Sequence, residues 1–388
     1  MPGAVPTCSS GGPSLPQALH FNECTREERT DQMYRAGSQS ARVTLRQLCN
    51  LALPAPVLLP SLLPAIRSVV PASHAAFFYC DAVGNMVNMY AERMLPPEAM
   101  TRYYERHYRH DSHAFSRAFL RLAAATDPVS YRTISAEEKR TDYYREVLSA
   151  LGVAHVMYGV VRATGNGREP IGQLSLYRAE GEPAFGAEDA EALRDVLHYL
   201  GRALAATPYA PVTAPSEQIA EEAMAVLSDD GEVIFADDGW TRLARLARGE
   251  PISPMQAKQE PKALREFLRG VVIAARAAKN ALHQVDSPWG KFAFRHHALS
   301  GVTGDKATAL VVSRLATESV RLAEGAAKLS LSAQQREVAL LVALGQTNAE
   351  IADKLGVSVN TASYHVKQVF AKLEVHDRAD VARLLRQA

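Results

Sequence analysis

Residues 331–385 constrain the fold of this chain more than any other stretch, because helix start and stop signals follow one another there every few residues. The first two starts fit the S/T-x-x-E/Q capping box, in which two side chains satisfy free backbone amides at a helix start. Gly345 and Gly356 predict the ends of these two helices, since glycine readily adopts the left-handed terminating conformation. Four short helices are thus predicted, with N-caps at Ser332, Thr347, Ser358 and Asp377.

The third predicted helix has two different faces. Its apolar face recurs at helical spacing and is expected to pack inward. That face consists of Ala362, Val366, Val369, Phe370 and Leu373. The opposite face is small, hydrogen-bonding or cationic and has no carboxylate, which suits contact with base edges and phosphates. It consists of Asn360, Ser363, Tyr364, Lys367 and Ala371.

A short turn containing glycine joins the second and third helices, as in a helix-turn-helix unit whose second helix enters the DNA major groove. Single residues of this pattern are equally typical of an ordinary amphipathic helix in a bundle, but the set of four capped helices favours DNA binding. The candidate DNA-binding residues are Asn360, Thr361, Ser363, Tyr364, Lys367, Lys372, Arg378 and Lys354.

Fixed spacings in this stretch resemble the LuxR-type helix-turn-helix family. The matching residues are Leu331-Ser332, Arg336-Glu337-Val338, 348–352, Val357-Ser358, Thr361, His365, Lys372-Leu373 and Arg378. The resemblance implies a bacterial transcription regulator whose fourth helix pairs two copies across a roughly palindromic site. Ala362-Ser363 replaces the family's usual Val-Lys or Val-Arg, so one cation is lost. Tyr364 and Lys367 are therefore expected to carry more of the readout.

Composition limits what net charge contributes to DNA binding. The 388 residues are 47% hydrophobic and 22% charged, which suits two or three globular domains. A net charge of +1 gives no overall attraction to polyanions, so electrostatic attraction to DNA has to be local. Non-specific affinity is expected to be modest, and a homodimer is expected.

The cysteines and the N-terminal residues favour a cytoplasmic protein. The four cysteines are far apart and include no C-x-x-C pair, which disfavours a zinc site and a disulfide framework. The first 35 residues lack the cationic start and apolar core of a secretory signal. Residues 1–40 are predicted to form a flexible or disordered tail, and the alternative is a misassigned start. The uncharged run at 50–66 contains four prolines and is too short to span a membrane. No membrane contact is expected.

Residues 41–206 alternate predicted helices and strands and are expected to form one sensor domain, followed by the Pro-rich linker 207–215. Gly165, Asn166 and Gly167 indicate a tight hairpin turn. The layout resembles a GAF-like α/β sensor fold. Strands are predicted at 75–80, 86–90, 155–162 and 171–178, and helices at 97–122 and 185–206.

The same order of elements also resembles the autoinducer-binding domain that precedes many LuxR-type headpieces. That family holds an acyl-homoserine lactone with a Trp-x-x-x-Tyr pair and an Asp-Pro step. Here Glu98 and Arg102 occupy the Trp and Tyr positions, and Asp111 is followed by Ser112. The sequence therefore disfavours a lactone as the ligand.

Aromatic residues and one carboxylate are the candidates for a ligand pocket in this domain, and the alternative is that they belong to its ordinary core. These candidates are Phe78, Tyr90, Tyr104, Asp111, Met157 and Tyr158. His107, His110 and His113 recur every third residue, a spacing that suits metal binding. The surrounding arginines and glutamates are more typical of a solvated helix, so no metal site and no cofactor are predicted.

Residues 216–316 resemble a PAS-like α/β module, because a strand, a turn containing Asp-Gly, a second strand and a helix follow in that order. Asp237 stands where that family usually has Asn. Residues 317–330 are predicted to form a helical connector to the helix-turn-helix domain at 331–388. Strands are predicted at 223–227, 232–236, 291–297 and 308–314, and a helix at 238–246.

Motifs for catalysis are missing: the sequence has no P-loop, H-E-x-x-H or G-x-S-x-G pattern, so no enzyme is predicted. The predicted fold class is multidomain α+β, with a GAF-like sensor, a PAS-like module and an all-α LuxR-type end. The predicted function is a sequence-specific DNA-binding transcriptional regulator controlled by its sensor region, with RNA polymerase and a small-molecule or protein effector as further partners. One alternative is a ligand-binding or enzymatic sensor protein whose C-terminal bundle mediates protein interaction. Another is a headpiece that contacts RNA polymerase more than DNA.

Overall fold

The protein consists of two five-stranded antiparallel sheets followed by a helical C-terminal region. This arrangement confirms the predicted multidomain α+β fold class. The computed structural model describes residues 39–51, 53–163, 169–205, 215–228, 231–249, 260–278, 282–300 and 306–388.

The first sheet has the strand order β2-β1-β5-β4-β3. Its strands are β1 (His74–Cys80), β2 (Met86–Ala91), β3 (Val129–Thr133), β4 (His155–Arg162) and β5 (Pro170–Arg178). Its helices are α1 (39–49), α2 (Ala55–Val69), α3 (Pro97–Arg102), α4 (Tyr108–Ala124) and α5 (Ala187–Leu204), with a π-helical turn (Tyr103–His107) between α3 and α4. The four strands predicted here are present, and β3 is an additional one. The predicted turn at 165–167 lies outside the described residues.

The two faces of the first sheet meet different helices, because side chains alternate across each strand. Phe77, Met157 and Leu174 lie on the face that packs against α2 and α5. Val160 packs with Phe119 of α4 on the other face. We call this second side the α4 face.

The proline-containing run at 50–66, for which no element is predicted, contains helix α2. Pro56 lies in its first turn, where a missing amide costs no hydrogen bond, but Pro60 and Pro64 lie inside the helix. Burial of the apolar side against the sheet compensates for the lost bonds. The fully buried side chains are Leu58, Leu59, Leu62, Leu63 and Ile66. None of the helices in the described part of the chain is both long and apolar enough to cross a membrane.

The second sheet repeats this strand order, as β7-β6-β10-β9-β8. Its strands are β6 (Pro215–Ser228), β7 (Val233–Ala236), β8 (Leu282–Ser287), β9 (Gly290–Ser300) and β10 (Lys306–Thr317). Helices α6 (Trp240–Arg248) and α7 (Glu260–Ala277) pack on one face of it, burying Trp240, Phe292 and Phe294. The predicted strands and the predicted helix are present, whereas β8 and α7 are additional elements.

The predicted domain boundaries fall close to ends of elements. Residues 39 and 40, predicted to close the tail, belong to α1, and the rest of that tail lies outside the described residues. Pro215, the last residue of the predicted linker, begins β6, and the remainder of the linker also lies outside them. The predicted connector contains helix α8 (Glu318–Lys328).

Four C-terminal helices follow α8, as predicted. They are α9 (Ala333–Ala343), α10 (Asn348–Leu355), α11 (Val359–Leu373) and α12 (Arg378–Gln387). Helix α12 packs directly on α8: a Cβ added to Gly325 would lie 1.9 Å from the carbonyl oxygen of Leu385. The side chain of Arg321 donates to the carbonyl of Arg386 at 2.6 Å, which fastens the same pair of helices.

Candidate DNA-binding interface and sensor face

Side-chain caps start each of the four C-terminal helices where the sequence predicts them. The hydroxyls of Ser332, Thr347 and Ser358 and the carboxylate of Asp377 each accept a hydrogen bond from the backbone amide three residues later. Gly356 ends α10 in the left-handed conformation, with a φ of 65°. Such a cap contributes about 1 kcal/mol to helix stability. The caps therefore fix the turn between α10 and α11.

The bare face of α11, formed by Asn360, Tyr364 and Lys367, is the centre of the candidate interface. Tyr364 is 58% exposed, and Asn360 and Lys367 are exposed as well. Helix α11 contains no acidic residue, and its positive N-terminal end lies beside this face. Lys354 on α10 and Lys372 at the end of α11 are exposed cations that suit phosphates. The inward face of α11 is buried at Ala362, Val366 and Val369 and half-buried at Phe370 and Leu373.

Three of the predicted DNA-binding residues are engaged inside the domain. The amide of Asn348 donates to the hydroxyl of Ser363 at 2.9 Å. The guanidinium of Arg378 donates to the carbonyl of Gln346 and to the amide oxygen of Asn348. The half-buried Thr361 supplies the backbone amide that Ser358 caps. These residues hold α10, α11 and α12 together behind the bare face.

Gln368 is a member of this surface that the sequence analysis missed. Its side-chain amide donates to the Tyr364 hydroxyl at 2.7 Å, and both residues are exposed. The signal was available, because residues four apart are neighbours on a helix. Gln368 orients the tyrosine at the centre of the bare face.

The α4 face of the first sensor domain gathers polar groups around Asp111. The Tyr103 hydroxyl donates to the Asp111 carboxylate at 2.9 Å, and Tyr143 donates to it as well. Burial raises the pKa of Asp111, while these hydrogen bonds partly offset the shift. Nearby, His107 Nε2 lies 2.7 Å from a carboxylate oxygen of Glu146, and this contact lowers the pKa of Glu146.

The predicted ligand-binding residues divide between the two faces of the sheet. Phe78 packs on Phe115 of α4, Tyr104 contacts Tyr103 and Tyr108 near Asp111, and Tyr158 lies in a cluster with Tyr177. Met157 and Tyr90 point the other way, into the core under α2 and α5. The Tyr90 hydroxyl accepts a hydrogen bond at 2.8 Å from Arg242 in α6, so it joins the two sheet regions. The six residues therefore do not line one site.

Several polar residues of the α4 face were missed because they occur in strands that otherwise read as core. Ser175 is fully buried and accepts a hydrogen bond from Gln173 at 3.2 Å. His74 stacks on Tyr177, and burial lowers its pKa to about 4. Its Nε2 is buried and has no hydrogen-bond partner among the described residues. No group of three metal-ligating side chains occurs in the part of the chain that the structure describes.

Comparison with known proteins identifies the C-terminal residues most clearly. Residues 329–385 match the family described as "Bacterial regulatory proteins, luxR family". The C4-dicarboxylate transport transcriptional regulatory protein DctR of Rhodobacter capsulatus is 30% identical over 206 residues, covering 51% of this chain and 95% of that protein. The putative HTH-type transcriptional regulator YhjB of Escherichia coli is 39% identical over 56 residues, which is 14% of this chain and 28% of YhjB. The match thus spans under a third of YhjB.

Two groups of solved structures are similar to parts of the chain. The phycoerythrobilin-bound GAF domain from a cyanobacterial phytochrome has 14% identity and a TM-score of 0.29, covering 42% of this chain and 94% of that one. The Vibrio cholerae VqmA dimer has 17% identity and a TM-score of 0.17, covering 42% and 81%. Scores this low do not establish a shared arrangement, so the description of the sensor regions rests on their own strand order.

Proposed function

Since the chain belongs to the LuxR family of bacterial regulatory proteins, we propose that it is a sequence-specific DNA-binding transcriptional regulator controlled by its two sensor regions. The observation that best supports this function is the bare face of α11, which is polar, cationic and open to solvent. We further propose that it acts in the cytoplasm as a homodimer that contacts RNA polymerase. Two copies of α11 would then enter successive major grooves about one helical turn apart.

Different residues of the C-terminal domain have different proposed roles in DNA recognition. Asn360 and Tyr364 supply hydrogen bonds and an aromatic edge for base pairs, and Lys367 reaches bases or a phosphate. Lys354 and Lys372 neutralise phosphates at either end of the helix. Arg378 lies behind the bare face and supports it, because its hydrogen bonds to the Gln346 carbonyl and the Asn348 side chain set the angle between α10 and α12.

The α4 face of the first sensor domain is the proposed entry point for the signal. Its half-buried carboxylate at Asp111 and the Nε2 of His74, which has no hydrogen-bond partner among the described residues, offer an acceptor and a second polar group to a small polar effector. An effector that drew the Tyr103 hydroxyl away from Asp111 would shift the turn that connects α3 and α4. We propose that these regions bind their effector without chemically changing it.

Binding to the protein's own upstream DNA tests the proposed function directly. Fluorescence anisotropy would compare the wild type with Tyr364→Ala/Lys367→Ala. We expect a loss of at least ten-fold in specific affinity, because one base-reading and one cationic contact disappear. The matched control is Tyr131→Ala/Lys306→Ala, which removes an exposed tyrosine and an exposed lysine from the sensor sheets. Unchanged affinity in the first variant, with correct folding, would contradict the proposal.

A further inference from the structure

Among the residues that the structure describes, helices pack on only one face of the second sheet. Both α6 and α7 pack against the face that carries Phe292 and Phe294. The strand registers place another set of side chains together on the opposite side. Val226 of β6 pairs with Phe235 of β7. Met224 of β6 pairs with Val311 of β10, and Val311 pairs in turn with Arg295 of β9. We call this side the open face, formed by Glu222, Met224, Val226, Phe235, Arg295 and Val311.

Apolar residues of the open face on β6 and β7 are exposed. Phe235 is 71% exposed and Met224 is 48% exposed, and all four residues of β7 are exposed. Natural proteins seldom leave an apolar strand bare at the edge of a sheet, because it pairs with other chains. A neighbouring apolar surface therefore accounts for the open face better than solvent does.

Charges of opposite sign lie on the two strands that flank β10. Glu222 lies on β6, where its carboxylate accepts a hydrogen bond at 2.8 Å from Ser313. Arg295 lies two strands away on β9, is exposed, and makes no ion pair with a residue that the structure describes. A surface with an acidic group on one side and a basic group on the other is complementary to itself.

We propose that the open face is the surface on which a second copy of this chain docks. A two-fold axis running along β10 lays β6 of one copy over β9 of the other, so that Val311 meets its own counterpart. Met224 of one copy then packs over the aliphatic part of Arg295 of the second copy, because both residues are in register with Val311. Glu222, two residues along β6, comes within side-chain reach of the same guanidinium, with the two sheets about 10 Å apart. This inference rests on the proposed function, which requires two copies of α11.

Sedimentation velocity of the full chain tests the open face against a matched surface. We expect Val311→Glu to weaken the dimer at least a hundred-fold, because the two-fold axis brings the two introduced carboxylates face to face in a closely packed contact. The control is Ile273→Glu, which places a charge on a 68% exposed apolar position of α7, away from the open face. A monomeric wild type at micromolar concentration, or equal dimerisation of both variants, would overturn the proposal.

Charge reversal identifies the pairing itself and distinguishes it from pairing between two β7 edges. Glu222→Arg and Arg295→Glu should each weaken the dimer about ten-fold, while the double variant restores it, because the two-fold axis brings these charges together twice. Single reversals without effect, or a double variant no better than the singles, would overturn the proposed geometry. Thermal unfolding confirms that each variant folds.

DNA binding gives an independent readout. A monomeric open-face variant should retain salt-sensitive DNA binding that depends on Lys367. A chain that dimerises as described but binds no DNA would end the proposed function and leave the open face intact as an interface.

Discussion

Arg378 lies at the start of α12, and its guanidinium bonds reach back to the turn before α10. We propose that a side chain in this position affects DNA affinity through the angle between helices. Ser363 has a similar part, since its hydroxyl accepts the hydrogen bond that keeps Asn348 in place. At the scale of single residues, the candidate interface thus has an exposed outer set, which we propose meets DNA, and an inner set that supports it.

Replacing Arg378 with Ala should therefore lower both stability and DNA affinity. Loss of its hydrogen bonds is expected to cost about 1 to 3 kcal/mol in the free energy of unfolding, because two acceptors lose their partner. Chemical denaturation of the full chain measures this change. Arg383→Ala is the control, because Arg383 pairs only with Asp380 on the same exposed helix surface, and it should change stability by less than about 0.5 kcal/mol. Equal effects of the two substitutions would contradict the supporting role of Arg378.

The buried His74 should make stability depend on pH. Burial lowers its pKa to about 4 in the folded chain. The unfolded chain therefore binds the proton more readily, and stability is full above pH 6.5 and falls as the pH drops from 6.5 to 4. Protonation of His74 is expected to lower the free energy of unfolding by about 3 kcal/mol at pH 4.

His74→Phe keeps a ring against Tyr177 and should flatten this part of the pH profile of unfolding free energy. The exposed His198 provides the control, since His198→Phe should leave the profile unchanged. Profiles of the wild type and His74→Phe that run parallel between pH 6.5 and 4 would contradict the lowered pKa of His74.

Among the elements, the pair α8 and α12 is the closest contact between the connector and the DNA-binding domain. Gly325→Ala would place a methyl group against the backbone of Leu385, so α12 has to move away. We expect the substitution to lower the melting temperature and to loosen α12, as hydrogen exchange would show. Gly270→Ala in α7 is the control, because its added Cβ meets no atom within 4 Å, and it should stabilise the helix by up to about 1 kcal/mol.

Elements with strong local signals were predicted from the sequence, and those shaped by distant contacts were not. Helices α9 to α12 have caps that are local, so their starts were predicted to the residue. Helix α2 was missed because Pro60 and Pro64 argue against a helix, and only packing on the first sheet outweighs them. Strand β8 alternates weakly, and its pairing with β9 depends on tertiary contacts.

The candidate site divides in the same way. The exposure of Tyr364 and Lys367 follows from helical spacing, which is a property of the sequence alone. The inward position of Arg378 and the separation of Tyr90 from Asp111 depend on how elements pack, and no spacing in the sequence reports them. The sequence pattern therefore predicted the exposed face of α11 but not the residues that support it from inside the domain.

For the molecule as a whole, a net charge of +1 makes DNA attraction a local property of the C-terminal domain. The slope of log affinity against log salt should therefore be modest, and Lys354→Ala and Lys372→Ala should each reduce it by about one. Anisotropy titrations between about 50 and 200 mM salt measure this slope. Lys306→Ala in the second sheet should leave the slope unchanged. A slope that does not respond to either substitution would exclude these lysines as phosphate contacts.

The junction of β10 and α8 gives the molecule a mechanical property. The strand ends at Thr317 and the helix begins at Glu318, so no loop residue separates the central strand of the second sheet from the connector. Helix α8 also packs closely on α12, so β10, α8 and α12 form one continuous set of contacts. We therefore expect a change in the twist of β10 between its neighbours β6 and β9 to move α12 as well.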